Sequence, residues 1–169
     1  MERLSPQQQR LFACDCAEHV LFYFEQFQPL DKRPRIAIET ARQYALGKVS
    51  REELEKARGD AESAAYEAGD AAWRAVVHQP QDEAAASAAA TAEGCSLTKL
   101  DIEGSVNTAI EVVVIAAVGT SAADTVWLKG DSWTTLPPPV LQRYRDAETQ
   151  ERAWQLKQAQ RYASTNSEP

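Results

Sequence analysis

The spacing of apolar residues near the start of the chain predicts an amphipathic helix. Between residues 11 and 27, apolar side chains recur every three or four positions, and this period places them on one face of a helix. Ser5, Pro6 and Gln8 come before this pattern and form a capping box with proline at the first helical position. The pattern ends at Pro29, so we expect the first helix to stop there.

Further start and stop signals predict two more helices before residue 80. Asp31 can cap the second helix, and Gly47 lies at its end, where a residue that adopts positive φ is favoured. Ser50 opens a second capping box, from which a long helix is expected to run to about His78. Pro80 stops this helix.

The remaining patterns complete an all-α prediction. An alanine run over 83–94 favours a helix and lets a neighbouring helix approach closely. The stretch 105–128 has a β-branched centre with strand propensity, but a lone strand would have no partner, so we interpret it as a buried central helix. Three consecutive prolines exclude regular structure before a last amphipathic helix over about 140–162. The prediction is a single-domain helical bundle of about five to seven helices over 1–163, with a frayed tail at 164–169.

Composition narrows the class of protein. In the 169-residue chain, no apolar run approaches the roughly 20 residues of a membrane-spanning helix. The N-terminal residues do not show the charged-then-apolar pattern of a signal peptide. Three cysteines form an odd set, which argues against a disulfide framework and for reduced thiols. These features predict a cytoplasmic protein without membrane contact.

Acidic residues are concentrated in one segment. The net charge is −7, and the segment 82–124 contains seven acidic residues against one basic residue, Lys99. Phosphate backbones require a basic surface, so direct nucleic-acid binding is not expected. A basic protein partner would suit this acidic segment, although the charge can also serve solubility alone.

The stretch FACDCAEH at residues 12–19 is where the residue types suggest chemistry. Asp15, Cys16 and His19 could supply two or three metal ligands, which leaves open a metal-holding enzyme or sensor. The two cysteines are two positions apart and point about 200° away from each other on a helix, so they cannot bind one ion together or form a disulfide. The favoured interpretation is that the cysteines line the core while Asp15, Glu18 and His19 form ion pairs at the helix edge.

Other patterns give no indication of catalysis or of a cofactor. The chain has two histidines, and no serine lies in a nucleophile-elbow pattern. Glycine loops for phosphate, HExxH and EF-hand patterns do not occur. We therefore predict no catalytic residues, no cofactor and no metal.

Trp127 and Trp133 flank a loop before the prolines. They can form an exposed recognition platform or the interface of a homodimer, because tryptophan is favoured at interface hot spots. The alternative, favoured by the burial tendency of aromatic residues, is a loop clamped onto the bundle.

Two motifs give the first third of the chain a resemblance to a known family. RLFACDCAEHVL at 10–21 and DKRPRIAIETARQYALGKVSREELEKAR at 31–58, followed by an alanine-rich helix, resemble the bacterial putative immunity proteins. Members of that family are small helical proteins with an acidic DCAE segment and a D-x-R-P-R-x-A-I-x-x-A-R element. The charged residues of these motifs are also suited to an ion-pair network that fixes the register of a helical hairpin: Asp15, Glu18, Arg33, Arg35 and Arg42.

The resemblance implies a non-catalytic antidote that binds a cognate toxin, such as a nuclease, and neutralises it by occlusion. An acidic surface on such an inhibitor speeds association with a basic toxin. We expect the contact residues in the acidic segment, around a helix break at Gly94, and in the tryptophan loop: Glu93, Asp101, Glu103, Glu111 and Trp133. A second hypothesis is a phage or mobile-element inhibitor that mimics nucleic acid and blocks a nucleic-acid-binding defence protein.

Overall fold

The computed structural model describes residues 4–74, 80–95, 102–118 and 137–164, and these ranges contain six helices and no strand. The predicted all-α bundle is therefore confirmed. No helix among the described residues has both the length and the apolar character needed to cross a bilayer. The helices are α1 (Pro6–Phe27), α2 (Arg33–Ala45), α3 (Arg51–Arg74), α4 (Pro80–Cys95), α5 (Ile102–Val118) and α6 (Pro138–Ser164).

The helix ends follow the local signals. The Gln8 backbone N–H donates to Ser5 Oγ at 3.3 Å, and the Ser5 N–H donates to Gln8 Oε1 at 2.9 Å, so the first capping box is complete. Ser50 and Glu53 make the same reciprocal pair at the start of α3, at 2.7 and 3.2 Å. Gly47 has a φ of +69°, which is the left-handed conformation expected after α2.

Alanines form the centre of the bundle. Helix α4 contacts α1, α2, α3 and α5. Four of its alanines are fully buried, and a methyl side chain lets a facing helix approach closely: Ala84, Ala88, Ala89 and Ala92. Helix α1 contributes the larger core side chains, among them Phe12, Val20 and Phe24. Helix α4, which contains the alanine run, is thus the central helix of the bundle.

The ambiguous apolar stretch is helical where the structure describes it. Helix α5 covers 102–118, while 119–128 lies outside the described residues. Val112 and Ile115 are fully buried, so burial among the other helices outweighs the strand propensity of the β-branched residues.

The last helix corrects one detail of the prediction. Helix α6 begins at Pro138 rather than at 140 and continues to Ser164. Pro138 and Pro139 occupy its first turn, where the backbone N–H groups have no helical acceptor and proline costs little. The proline run therefore starts this helix.

The N-terminal part of α1 caps the C-terminus of α4. Arg10 is buried, and its Nη1 donates to the Cys95 carbonyl oxygen at 2.9 Å. The Arg10 guanidinium also lies 5.3 Å from the centre of the Tyr44 ring on α2. The Cys14 thiol hydrogen-bonds with Cys95, and this contact together with burial raises the pKa of Cys14.

Candidate partner-binding surface

The charged residues of the DCAE segment pair with α2. Asp15 Oδ1 lies 2.6 Å from Arg42 Nη1, and Glu18 Oε2 lies 2.6 Å from Arg42 Nη2. Glu18 also lies 3.8 Å from Arg35, which in turn pairs with Glu25 at 2.7 Å. These contacts join α1 to α2 along one edge, so the guanidinium groups fix the relative position of the two helices.

Arg33 departs from the predicted network. Its guanidinium pairs with Asp31, with an Nη2–Oδ2 distance of 2.6 Å, and with Glu67 of α3. Asp31 Oδ1 also accepts the backbone N–H of Arg33 at 3.0 Å, but the residue at the N-cap position of α2 is Lys32 and not the predicted Asp31. Arg33 lies in the first turn of α2, on the side that faces α3, and therefore cannot join the pairs between α1 and α2.

Two residues of the FACDCAEH stretch bind α6. His19 Nε2 lies 3.2 Å from Glu151 Oε2, and the His19 ring stacks on Trp154 with centroids 3.8 Å apart. The Tyr162 hydroxyl donates to Asp15 Oδ2 at 2.7 Å. Burial and the contact with Asp15 raise the pKa of Tyr162. These polar contacts hold the last helix against the first.

The interpretation of FACDCAEH as a structural motif follows from these contacts. Cys14 and Cys16 are fully buried. Asp15 is already held by Arg42 and Tyr162, and His19 pairs with Glu151. In the part of the chain that the structure describes, no group of three His, Cys, Asp or Glu side chains could hold a metal ion. The arrangement supports packing and pairing as the role of the stretch.

Glu93, predicted to be an exposed contact, is partly exposed and already has an ion-pair partner. Its carboxylate lies 2.9 Å from Arg58 Nη1 of α3, and its side chain is 25% exposed. The last turn of α4 faces α3, so Glu93 joins these two helices. Glu103 lies in the first turn of α5, but its side chain is not described. Asp101 and Trp133 lie outside the described residues, as do His78 and Trp127.

Glu111 is exposed and lies at a groove between α5 and α6. On α5, residues 107, 110, 111 and 114 form one face because their spacing matches the helical period. On α6, residues 144, 148 and 152 are one turn apart and form the opposite wall. The groove has a volume of about 320 Å³ and is lined by Asn107, Ile110, Glu111, Val114, Tyr144, Glu148 and Arg152.

Of the two carboxylates in this groove, one has an ion-pair partner and the other has none among the described residues. Glu148 pairs with Arg152 at 2.9 Å. Burial raises the pKa of Tyr144, and the adjacent Glu148 raises it further. Among the described residues, no basic side chain pairs with Glu111. The groove therefore combines an apolar floor with one carboxylate that has no charged partner in the described ranges.

The sequence predicts Glu111 as a contact residue but gives no indication of the wall opposite it. The spacing of Tyr144, Glu148 and Arg152 was visible in the last predicted helix. No local signal, however, indicates which helix this face lies against.

The comparisons with known proteins identify the family. The sequence model described as "Imm-5 like putative immunity protein" matches residues 1–101. The chain belongs to this family. No curated protein and no solved structure matches the chain.

The Imm-5-like match covers the first four of the six described helices. It spans α1 to α4, and so it includes the ion pairs between α1 and α2 and the alanine-rich centre. Helices α5 and α6, with the groove at Glu111, lie beyond the matched residues. In this Imm-5-like protein, the contacts of His19 and Asp15 attach α6 to the family segment, and α5 packs against α1 and α4.

Proposed function

We propose that this chain is an immunity-type antidote that binds a cognate toxin and blocks it by occlusion, without catalysis of its own. Membership of the Imm-5-like family is the observation that carries this proposal. The side chains best suited to chemistry support it, because each has a structural role. Asp15 and Glu18 pair with Arg42, His19 pairs with Glu151, and the thiol of Cys16 is buried.

The proposed contact surface is the exposed side of α5, and the proposed partner is a basic protein. The segment 82–124 carries seven acidic residues and one basic residue. Within it, Glu111 is exposed and, among the described residues, has no ion-pair partner. An unpaired carboxylate at a helix surface favours encounter with a cationic surface and discriminates against wrong partners.

Affinity capture with a matched pair of variants tests this proposal. The tagged chain, Glu111→Lys and Glu39→Lys are each incubated with lysate of the source cells at low and high salt, and bound proteins are identified by mass spectrometry. Glu39 is an exposed acidic residue on α2 and serves as the control for charge reversal away from α5. Thermal unfolding of all three proteins checks that each variant is folded.

We expect one basic protein to be captured at low salt and released at high salt. Glu111→Lys should weaken the isolated complex by at least about tenfold, which corresponds to 1.4 kcal/mol, whereas Glu39→Lys should leave it unchanged. Expression of the captured protein alone should arrest growth, and co-expression of the chain should restore it. Capture of no specific protein at either salt would refute the antidote proposal.

The same complex separates the antidote from a nucleic-acid mimic. A mimic occupies the nucleic-acid site of its target, so DNA or RNA would compete with the chain for the captured protein. A toxin that the chain blocks at another part of its surface would bind the chain and nucleic acid at the same time. If DNA or RNA competes with the chain and the captured protein does not arrest growth, the nucleic-acid mimic is favoured.

A further inference from the structure

We infer that the groove between α5 and α6 is an anchor pocket for one lysine or arginine side chain of a protein partner. The inference rests on the proposed function only for the statement that the partner is a protein. The pocket itself follows from the shape and charge of the groove.

The floor of the groove suits the aliphatic part of a long cationic side chain. Ile110 and Val114 lie there, and they are 7% and 3% exposed. Lysine and arginine bury their methylene stems against apolar surface while the charged end stays at a polar rim. A groove of about 320 Å³ between two helices offers such a surface on both sides.

The polar groups of the groove are arranged for a single cation. Arg152 already pairs with Glu148, so that carboxylate is neutralised. Glu111 has no charged partner among the described residues. Asn107 precedes Glu111 by one turn, and its amide oxygen provides a second acceptor on the same face. An entering cation would therefore meet two acceptors on the α5 wall of the groove.

The Tyr144 ring adds to the preference for a cation. It is partly buried at the α6 wall of the groove, and a cation near an aromatic ring is stabilised by the ring quadrupole. An anionic occupant would meet Glu111 without compensation. An apolar occupant would remove Glu111 from water and leave it unpaired, which is unfavourable. The groove thus selects a long side chain with a positive end.

A titration with amino-acid analogues tests the pocket without any toxin. The full-length chain, labelled with ¹⁵N, is titrated with the N-acetyl methylamides of lysine and arginine, and amide chemical shifts are followed by NMR. The N-acetyl methylamide of norleucine, which has the stem without the charge, is the control ligand. Glu111→Gln and Glu39→Gln are titrated in parallel, and their spectra show directly that both variants are folded.

We expect saturable shifts at Asn107, Glu111 and Tyr144 with both cationic analogues. Binding should weaken at least fivefold in Glu111→Gln and remain unchanged in Glu39→Gln. Equal shifts with norleucine, shifts spread over the whole surface, or full binding by Glu111→Gln would each overturn the inference.

The outcomes also separate this inference from the proposed function. If the analogues bind at the groove but no toxin is captured, the pocket stands and the antidote proposal fails. If a toxin is captured and Glu111→Gln binds it with unchanged affinity, the antidote proposal stands and the pocket is overturned.

Discussion

Replacing His19 with alanine tests the contact that joins α1 to α6. The imidazole lies 3.2 Å from a carboxylate oxygen of Glu151 and stacks on the Trp154 ring. Glu151 is 2% exposed, so the carboxylate left behind by His19→Ala has little access to water. It keeps one hydrogen bond within α6, from Gln155 Nε2 at 2.9 Å.

The expected loss of stability follows from these two contacts. A buried polar group that loses a partner costs about 1–3 kcal/mol, and a lost aromatic pair costs about 0.5–1.5 kcal/mol. The His19 side chain is 37% exposed and Gln155 still satisfies Glu151, so values in the lower part of both ranges apply. We expect a loss of about 2 kcal/mol, which for a chain of this size lowers Tm by about 4–8 °C.

Urea unfolding followed by far-UV circular dichroism measures this loss. His19→Ala is compared with Glu151→Gln, with the double variant and with Gln26→Ala, an exposed position on the same helix. The Glu151→Gln substitution should lower the free energy of unfolding by about 1 kcal/mol less in the His19→Ala background than in the wild type. The reason is that the amide removes the charge that has lost its partner. Additive effects, or a loss for His19→Ala equal to that of Gln26→Ala, would refute the account of this contact.

Three further predictions concern the core and the ion pairs. Thiol reagents should modify the native protein slowly and modify it fully in denaturant, because all three cysteines are buried: Cys14, Cys16 and Cys95. Ala88→Leu should lower the free energy of unfolding by about 1–3 kcal/mol in a thermal or urea assay, because it overpacks the centre of the bundle. The hydrogen bond with an arginine of α2 lowers the pKa of Glu25 below 4.5, so its stabilisation is present above that pH and lost as the pH falls through the lowered pKa. Between pH 5 and pH 3, unfolding measurements should therefore show a smaller loss of stability for Glu25→Gln than for the wild type.

Local signals in the sequence were sufficient for the ends of several helices. The capping boxes at Ser5 and Ser50 involve residues three apart, and Gly47 adopts the positive φ that its position required. Such features depend on a few neighbouring residues, so spacing alone can reveal them. The burial of the two cysteines followed from their small size and apolar character.

Contacts between distant helices could not be obtained in this way. Arg33 faces α3 and Glu93 pairs with Arg58, although neither direction is marked in the local sequence. The Tyr162–Asp15 hydrogen bond spans 147 positions of the chain. Spacing gives the face of a helix that is apolar, whereas the neighbour that covers this face depends on how all the helices pack together.

The alanine-rich helix α4 has a consequence for recognition. Ala84, Ala88, Ala89 and Ala92 have no side-chain torsion that can change rotamer, so the centre of the bundle has few alternative packings. These alanine side chains also lose no conformational entropy when the chain folds. A partner therefore meets a pre-organised scaffold, and adjustment on binding falls to the outer side chains and to the partner itself.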